Sequence, residues 1–148
     1  MRKFYVLGPP LTAKEREKDF ESTVSLFGLA QATVFYSRTV EGITNKTVGL
    51  LQFDSILLAV FALGFQAGAP VTALSIGFST VLGACLILAT NLFSAWAGPY
   101  ALASQDHLIR VVHKVAISRA LRFTIALWLS IFGLALPAVL CVLLWLPV

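Results

Sequence analysis

One carboxylate in this 148-residue chain stands where carboxylates are rare. Asp54, flanked by Gln52 and Ser55, lies inside a long apolar stretch whose nearest preceding charge is Lys46. At 1.5 Å per residue, its Cα falls about 10 Å beyond Thr47, a depth at which an unpartnered carboxylate is expensive. Two readings are open. Either the apolar span begins later, leaving Asp54 near headgroups or bonded to neighbouring helices, or Asp54 is a carboxylate that senses a proton, an ion or a partner. No Lys or Arg lies in another apolar block to pair with it. A counter-group would therefore come from another subunit, from the Arg119 to Arg122 region, or from a polar cavity.

Other chemistry is scarce. His107 and His113 are six residues apart, which does not place two imidazoles on one helix face, so they read as ordinary exposed histidines and no metal site is expected. No histidine falls within an apolar block, so an axial ligand for an intramembrane tetrapyrrole is missing and no cofactor is expected. Cys85 and Cys141 fall at depths of roughly 12 and 27 Å, too far apart to bridge. The spans contain no nucleophile elbow, phosphate loop, dinucleotide fingerprint or carboxylate pair. The residues therefore point to a non-enzymatic protein.

The elements that must position Asp54 are membrane helices. Hydrophobic residues make up 58% of the chain and charged ones 12%, with a mean hydropathy of +0.87, which excludes an ordinary soluble domain. The apolar residues form long blocks, not the short alternating strands of a membrane barrel. From Ser55 to Gln105 there is no Asp, Glu, Lys or Arg, and none follows Arg122. The first block exceeds the roughly 20 residues that cross a bilayer, so it must fold back, and Gly64 to Pro70, with two glycines and a proline, supplies the turn. The expected fold is an all-α integral membrane protein with three transmembrane helices at about 48–65, 71–93 and 123–145. A membrane domain of 47–148, with a cytoplasmic amphipathic connection at 94–122, would follow an interfacial or cytoplasmic region at 1–46.

All eleven Lys and Arg residues lie before the first span or between the second and third. By the excess of basic residues in cytoplasmic loops, the N-terminus is expected inside and the C-terminus outside, in a plasma (inner) membrane. Trp96, Tyr100 and Trp128 would mark the inner interface and Trp145 the outer one. The net charge of +4 then reads as topology and contact with anionic inner-leaflet lipid, not nucleic-acid binding.

Arg2 and Lys3 precede an apolar run too short for a signal peptide, and Gly8-Pro9-Pro10 stops it. Thr12 with Glu15 has capping-box spacing, so a helix is expected from Ala13, with a solvated face from Lys14 to Asp19. The mixed segment from Phe20 to Val40 is expected to lie on the inner membrane surface or against other helices, or to run on into the first span; a fourth crossing there is the alternative. In the second amphipathic segment, Asp106, His107, Arg110, His113, Lys114 and Ser118 share one face, opposite Leu108, Val111, Val112 and Val115. Arg110, Lys114, Arg119 and Arg122 would contact lipid or a partner, although this segment also reads as a simple extension of the third span. Small residues at four-residue spacing, Ser75, Ser79 and Gly83, with Gly64 and Gly68 at the turn, suit close helix packing within the chain or against another subunit. Pro137 should kink the third span and free a backbone site that Ser130 or a neighbour could satisfy.

The stretch from Asn45 to Leu58 (NKTVGLLQFDSILL) resembles the start of the first span in the membrane module of bacterial Pycsar-type effectors. The wider layout is similar too: a charged amphipathic helix, a Lys-containing approach to the span, a tight hairpin and a basic connection to a further span. Asn45 stands where that family would have an acidic residue, and these 148 residues contain no cyclic-nucleotide sensor domain. The resemblance implies a self-associating, membrane-disrupting effector. The residues themselves favour an accessory or scaffold subunit of a bacterial inner-membrane complex, acting through other membrane subunits or self-association, with a small transporter using Asp54 as a third reading.

Overall fold

The computed structural model describes residues 12–93 and 105–145. Arg2, Lys3, the Gly8 to Pro10 stop, Trp96 and Tyr100 lie outside that range, as does the ring of Trp145. The chain is all-α, and among the described residues three helices are long and apolar enough to cross a membrane: α1 (Ala13–Gln66), α2 (Val71–Phe93) and α3 (Gln105–Trp145).

Helix α1 begins behind Thr12, whose side chain accepts from Glu15 N at 3.3 Å while the Glu15 carboxylate accepts from Thr12 N at 2.8 Å. Those bonds to Thr12 hold the Glu15 carboxyl below its ordinary range. At 54 residues α1 would be about 80 Å long if straight, far more than a bilayer needs. It is not straight. Gly28 adopts φ 72° and ψ 163°, a region that only glycine occupies freely. The helix breaks there, and residues 13–27 form an arm that turns back on the remainder of α1. Phe20 consequently shares a buried cluster with Ala32, Tyr36, Ile109 and Val112, although 16 residues of unbroken helix would hold Phe20 and Tyr36 about 24 Å apart.

The break departs from the uninterrupted amphipathic helix that the periodicity of Phe20 to Val40 suggests. Gly28 is compatible with a helix as a residue type, so tertiary packing of the arm decides its conformation. A Cβ at Gly28 would meet nothing within 4 Å, so Gly28→Ala isolates the backbone strain. We expect it to weaken arm docking by about 1–3 kcal/mol, read as faster tryptic cleavage at Lys14, Arg16 and Lys18 with unchanged membrane insertion.

At the far end α1 closes through Ala67 N to Leu63 O at 3.0 Å and Ala69 N to Gly64 O at 3.1 Å, and Pro70 leads into α2. A Cβ added to Gly64 would lie 3.0 Å from the Leu74 side chain across this turn, whereas one on Gly68 would meet nothing within 4 Å among the described residues. Helix α3 is continuous from Gln105 through Pro137 to Trp145. It runs parallel to α1 in constant register, since Thr44 pairs with Arg119 and Asp54 with Ser130, 75 and 76 residues apart in sequence. Helix α2 returns between them. Leu57, Phe61, Leu74 and Val81 fill one half of the bundle, and Ala84, Leu88, Phe123 and Ala126 the other.

Gly77 on α2 and Gly133 on α3 let these two helices approach closely. An added Cβ on Gly77 would lie 2.5 Å from Pro137 Cγ and 2.9 Å from Gly133 O, and one on Gly133 would lie 2.7 Å from Val81 Cγ2. Gly133 O is the carbonyl that proline leaves without its helical donor, four residues on. Ser130 does not serve it. The carbonyl instead lies 2.9 Å from where a Cβ on Gly77 would stand. Ser75 and Ser79 are exposed, and a Cβ on Gly83 would meet nothing within 4 Å, so the expected ridge faces away from the bundle.

Candidate functional site

Polar side chains enter the bundle at three levels. The deepest contains Asp54, which is 0% exposed. The helical period places it on the α1 face that carries Thr47, Leu57 and Phe61, all buried. Ser130 Oγ donates to Asp54 Oδ2 at 2.9 Å and also stands 2.9 Å from the Ala126 carbonyl one turn back in its own helix. Asp54 Oδ1 is buried and has no hydrogen-bond partner among the described residues. From α2, the half-buried Cys85 thiol lies within electrostatic reach of Asp54.

The neighbours that accompany Asp54 in sequence part from it in space. Gln52 and Ser55 are both exposed, and Ser55 Oγ donates back to Leu51 O at 2.8 Å. The partner of Asp54 is Ser130, which the sequence suggests only for the proline kink. A signal was available: Ser130 and Thr124 are the only hydroxyl residues of the third span, and Ser130 is the deeper.

The second level lies about ten residues toward the basic end of the bundle. Arg119 Nη1 donates to Thr44 Oγ1 at 3.1 Å, and Asn91 Nδ2 donates to the Arg119 carbonyl at 3.1 Å. Arg119 is buried, at 6% exposure, so it does not offer the contact with lipid or a partner expected of it. Of the four basic residues, Lys114 is exposed and Arg122 half-buried. Asn91, the one carboxamide of the second span, went unnoticed in sequence because it sits at the span's end, where polar residues attract no attention.

The third level lies beyond the second span and joins the arm to the bundle. His113 is buried, and its ring centroid is 5.2 Å from that of Phe20 and 4.9 Å from that of Tyr36. This corrects the expectation of an exposed ring. Packing of the arm turns the 109–119 face inward, so that Ile109, Val112, His113, Ala116 and Arg119 are all buried. Above them Arg110 Nη1 bonds Glu17 Oε1 at 2.9 Å and its guanidinium carbon stands 4.8 Å from the Phe20 centroid. Burial pushes the His113 pKa down; Asp19 and Glu17 pull it up, while Arg16 and Arg110 oppose them. Exposed His107 does not share this site, and among the described residues no group of His, Cys, Asp and Glu is placed to hold a metal ion.

Comparison with known protein families, curated proteins and solved structures finds no match.

Proposed function

We propose that this protein is a non-enzymatic scaffold or accessory subunit of a bacterial inner-membrane complex, its N-terminus cytoplasmic and its C-terminus outside. The observation that carries this reading is an apolar face that the described residues leave uncovered before the first span. Leu26 is 70% exposed, Val34 51% and Phe27 47%, and Phe27, Ala30, Val34 and Phe35, with Gln31 and Arg38 at the rim, line a groove on that face. At 1.5 Å per residue, Val34 sits roughly 20 Å before the start of the span at Val48, beyond the reach of the hydrocarbon core. A contiguous apolar surface facing water marks a place where another protein sits. Lys114 and Arg110 on the same side of the membrane suit anionic inner-leaflet lipid.

Affinity purification from native membranes in mild detergent, followed by mass spectrometry, tests the proposal. A stoichiometric membrane partner is expected, and it should be lost when Phe27 and Val34 are both changed to serine while membrane insertion persists. Recovery of the chain as a lone monomer would exclude it.

The outward Ser75, Ser79 and Gly83 ridge favours a second reading, since small residues on a free face let a further helix approach closely. In that reading the occupant is another copy and the protein is a self-associating membrane effector, in line with its resemblance to Pycsar-type membrane modules. Unchanged liposome permeability and harmless overexpression would remove it.

A further inference from the structure

The Ser130 hydroxyl has one proton to give, yet two acceptors stand 2.9 Å from it, Asp54 Oδ2 and the Ala126 carbonyl. Were Asp54 a carboxylate, Ser130 could satisfy only one of them fully. Its second oxygen has no partner among the described residues, the residue is 0% exposed, and the spans at 48–65, 71–93 and 123–145 contain no Lys, Arg or His. Arg122, the nearest base along α3, lies eight residues before Ser130, roughly 12 Å away along the helix, and Arg119, three residues before it, bonds Thr44. The other titratable group facing Asp54 is the Cys85 thiol of α2, which brings no positive charge. A buried carboxylate in such surroundings is far more costly than a neutral acid.

A carboxylic acid completes the count. Oδ2–H donates to Ser130 Oγ, Ser130 Oγ–H donates to the Ala126 carbonyl, and Oδ1 remains a neutral carbonyl oxygen. We infer that Asp54 is an intramembrane proton-binding site, and that the proton held there joins α1 to α3. Release of the proton needs water at the carboxyl, and water reaches it only when the two helices part. The ligand is the proton itself, and the inference stands whether the protein scaffolds a complex or associates with itself.

Infrared spectroscopy of the full chain in lipid vesicles, with carbon-13 at the aspartate carboxyls, tests this. At pH 7, about three units above an ordinary aspartate pKa, we expect a protonated-carboxyl carbonyl band that shifts with the label. The band should vanish in Asp54→Asn and change frequency in Ser130→Ala, where its hydrogen-bond acceptor is gone. Absence of a label-sensitive band in the wild-type protein at pH 7 overturns the proposal, and so does its survival in Asp54→Asn. Should Asp54→Asn not insert, the wild-type spectrum and the Ser130→Ala shift decide the matter by themselves. Cysteine crosslinks between the outer ends of α1 and α3 give an independent reading: their yield should fall at alkaline pH in the wild type, and an unchanged yield as the labelled band disappears would also overturn the proposal.

Discussion

Gly77→Leu is expected to disrupt the packing of α2 against α3, and Gly77→Ala to cost about 1–3 kcal/mol, the range for overpacking a filled interior. The reason lies in which atoms a Cβ would meet. On Gly77 it would stand 2.5 Å from Pro137 Cγ, 2.9 Å from Gly133 O and 2.9 Å from Phe61 Cζ. Phe61 is a side chain that can shift, but the carbonyl is backbone and the proline ring is fixed to it. Relief therefore requires the helices themselves to separate. Between membrane helices close packing is itself a main source of adhesion, because lipid tails are as apolar as leucine. Gly83→Ala supplies the control, since its Cβ would meet nothing within 4 Å and alanine favours the helix. Unfolding in mixed detergent micelles should separate the two variants, and equal stability would show that the Gly77 contact is not made.

The second large effect is on pH. His113 is packed between Phe20 and Tyr36, with Nε2 lacking a partner among the described residues, and burial lowers its pKa from 6.5. The charges facing it are Arg16, Glu17 and Asp19 on the arm and Arg110 on α3. With the arm undocked, the imidazole regains its ordinary pKa and binds more protons than the docked form between the lowered value and 6.5. Stability of docking therefore rises with pH across that window. Docking is fully stable above about 6.5 and weakens as pH falls toward the docked value. A spin label at exposed Glu21 should become mobile as the pH drops through this range, and His113→Phe, which keeps the ring contacts without a titrating group, should hold it still. The same pH profile in both proteins would rule out His113 as the cause. Glu17→Gln removes an attraction for the docked imidazolium, so protonation should loosen the arm more strongly and the transition should move to higher pH. At neutral pH the variant should lose little stability, because the Glu17–Arg110 pair is about half-exposed and such pairs contribute about 0–1 kcal/mol.

Much of the helical layout was legible because apolar runs and glycine–proline breaks act locally. Gly64 to Pro70 announces its turn without help from the rest of the chain, and the Thr12–Glu15 cap is complete within four residues. Asp54 stood out for the same reason: a charge in an apolar block needs no partner to be noticed. Its partner was not legible, since Ser130 reaches it only through the register of α1 on α3, which single-chain periodicity does not encode. The arm escaped notice because Gly28 reads as a tolerated helix residue until Phe20 and His113 are seen to meet. His113 was assigned to the polar face by its spacing from Arg110 and Lys114, whereas three-helix packing turns it inward. Of the two uses open to the small-residue ridge, packing within the chain is not the one made, because Ser75, Ser79 and Gly83 have the right spacing on a side of α2 that its own neighbours do not use.

The two deeper polar levels also limit how the helices can move. Thr44 to Arg119 and Asp54 to Ser130 are two pegs in one slot, about 15 Å apart along α1. A slip of α3 by one helical turn, about 5.4 Å, would unseat both together and offer each buried polar group an apolar neighbour. Piston-like sliding is thereby blocked, and the motions left to the bundle are tilting and rotation, with the Gly77–Gly133 contact as the natural fulcrum. A signal crossing this protein would travel as a lever does, through a change of angle.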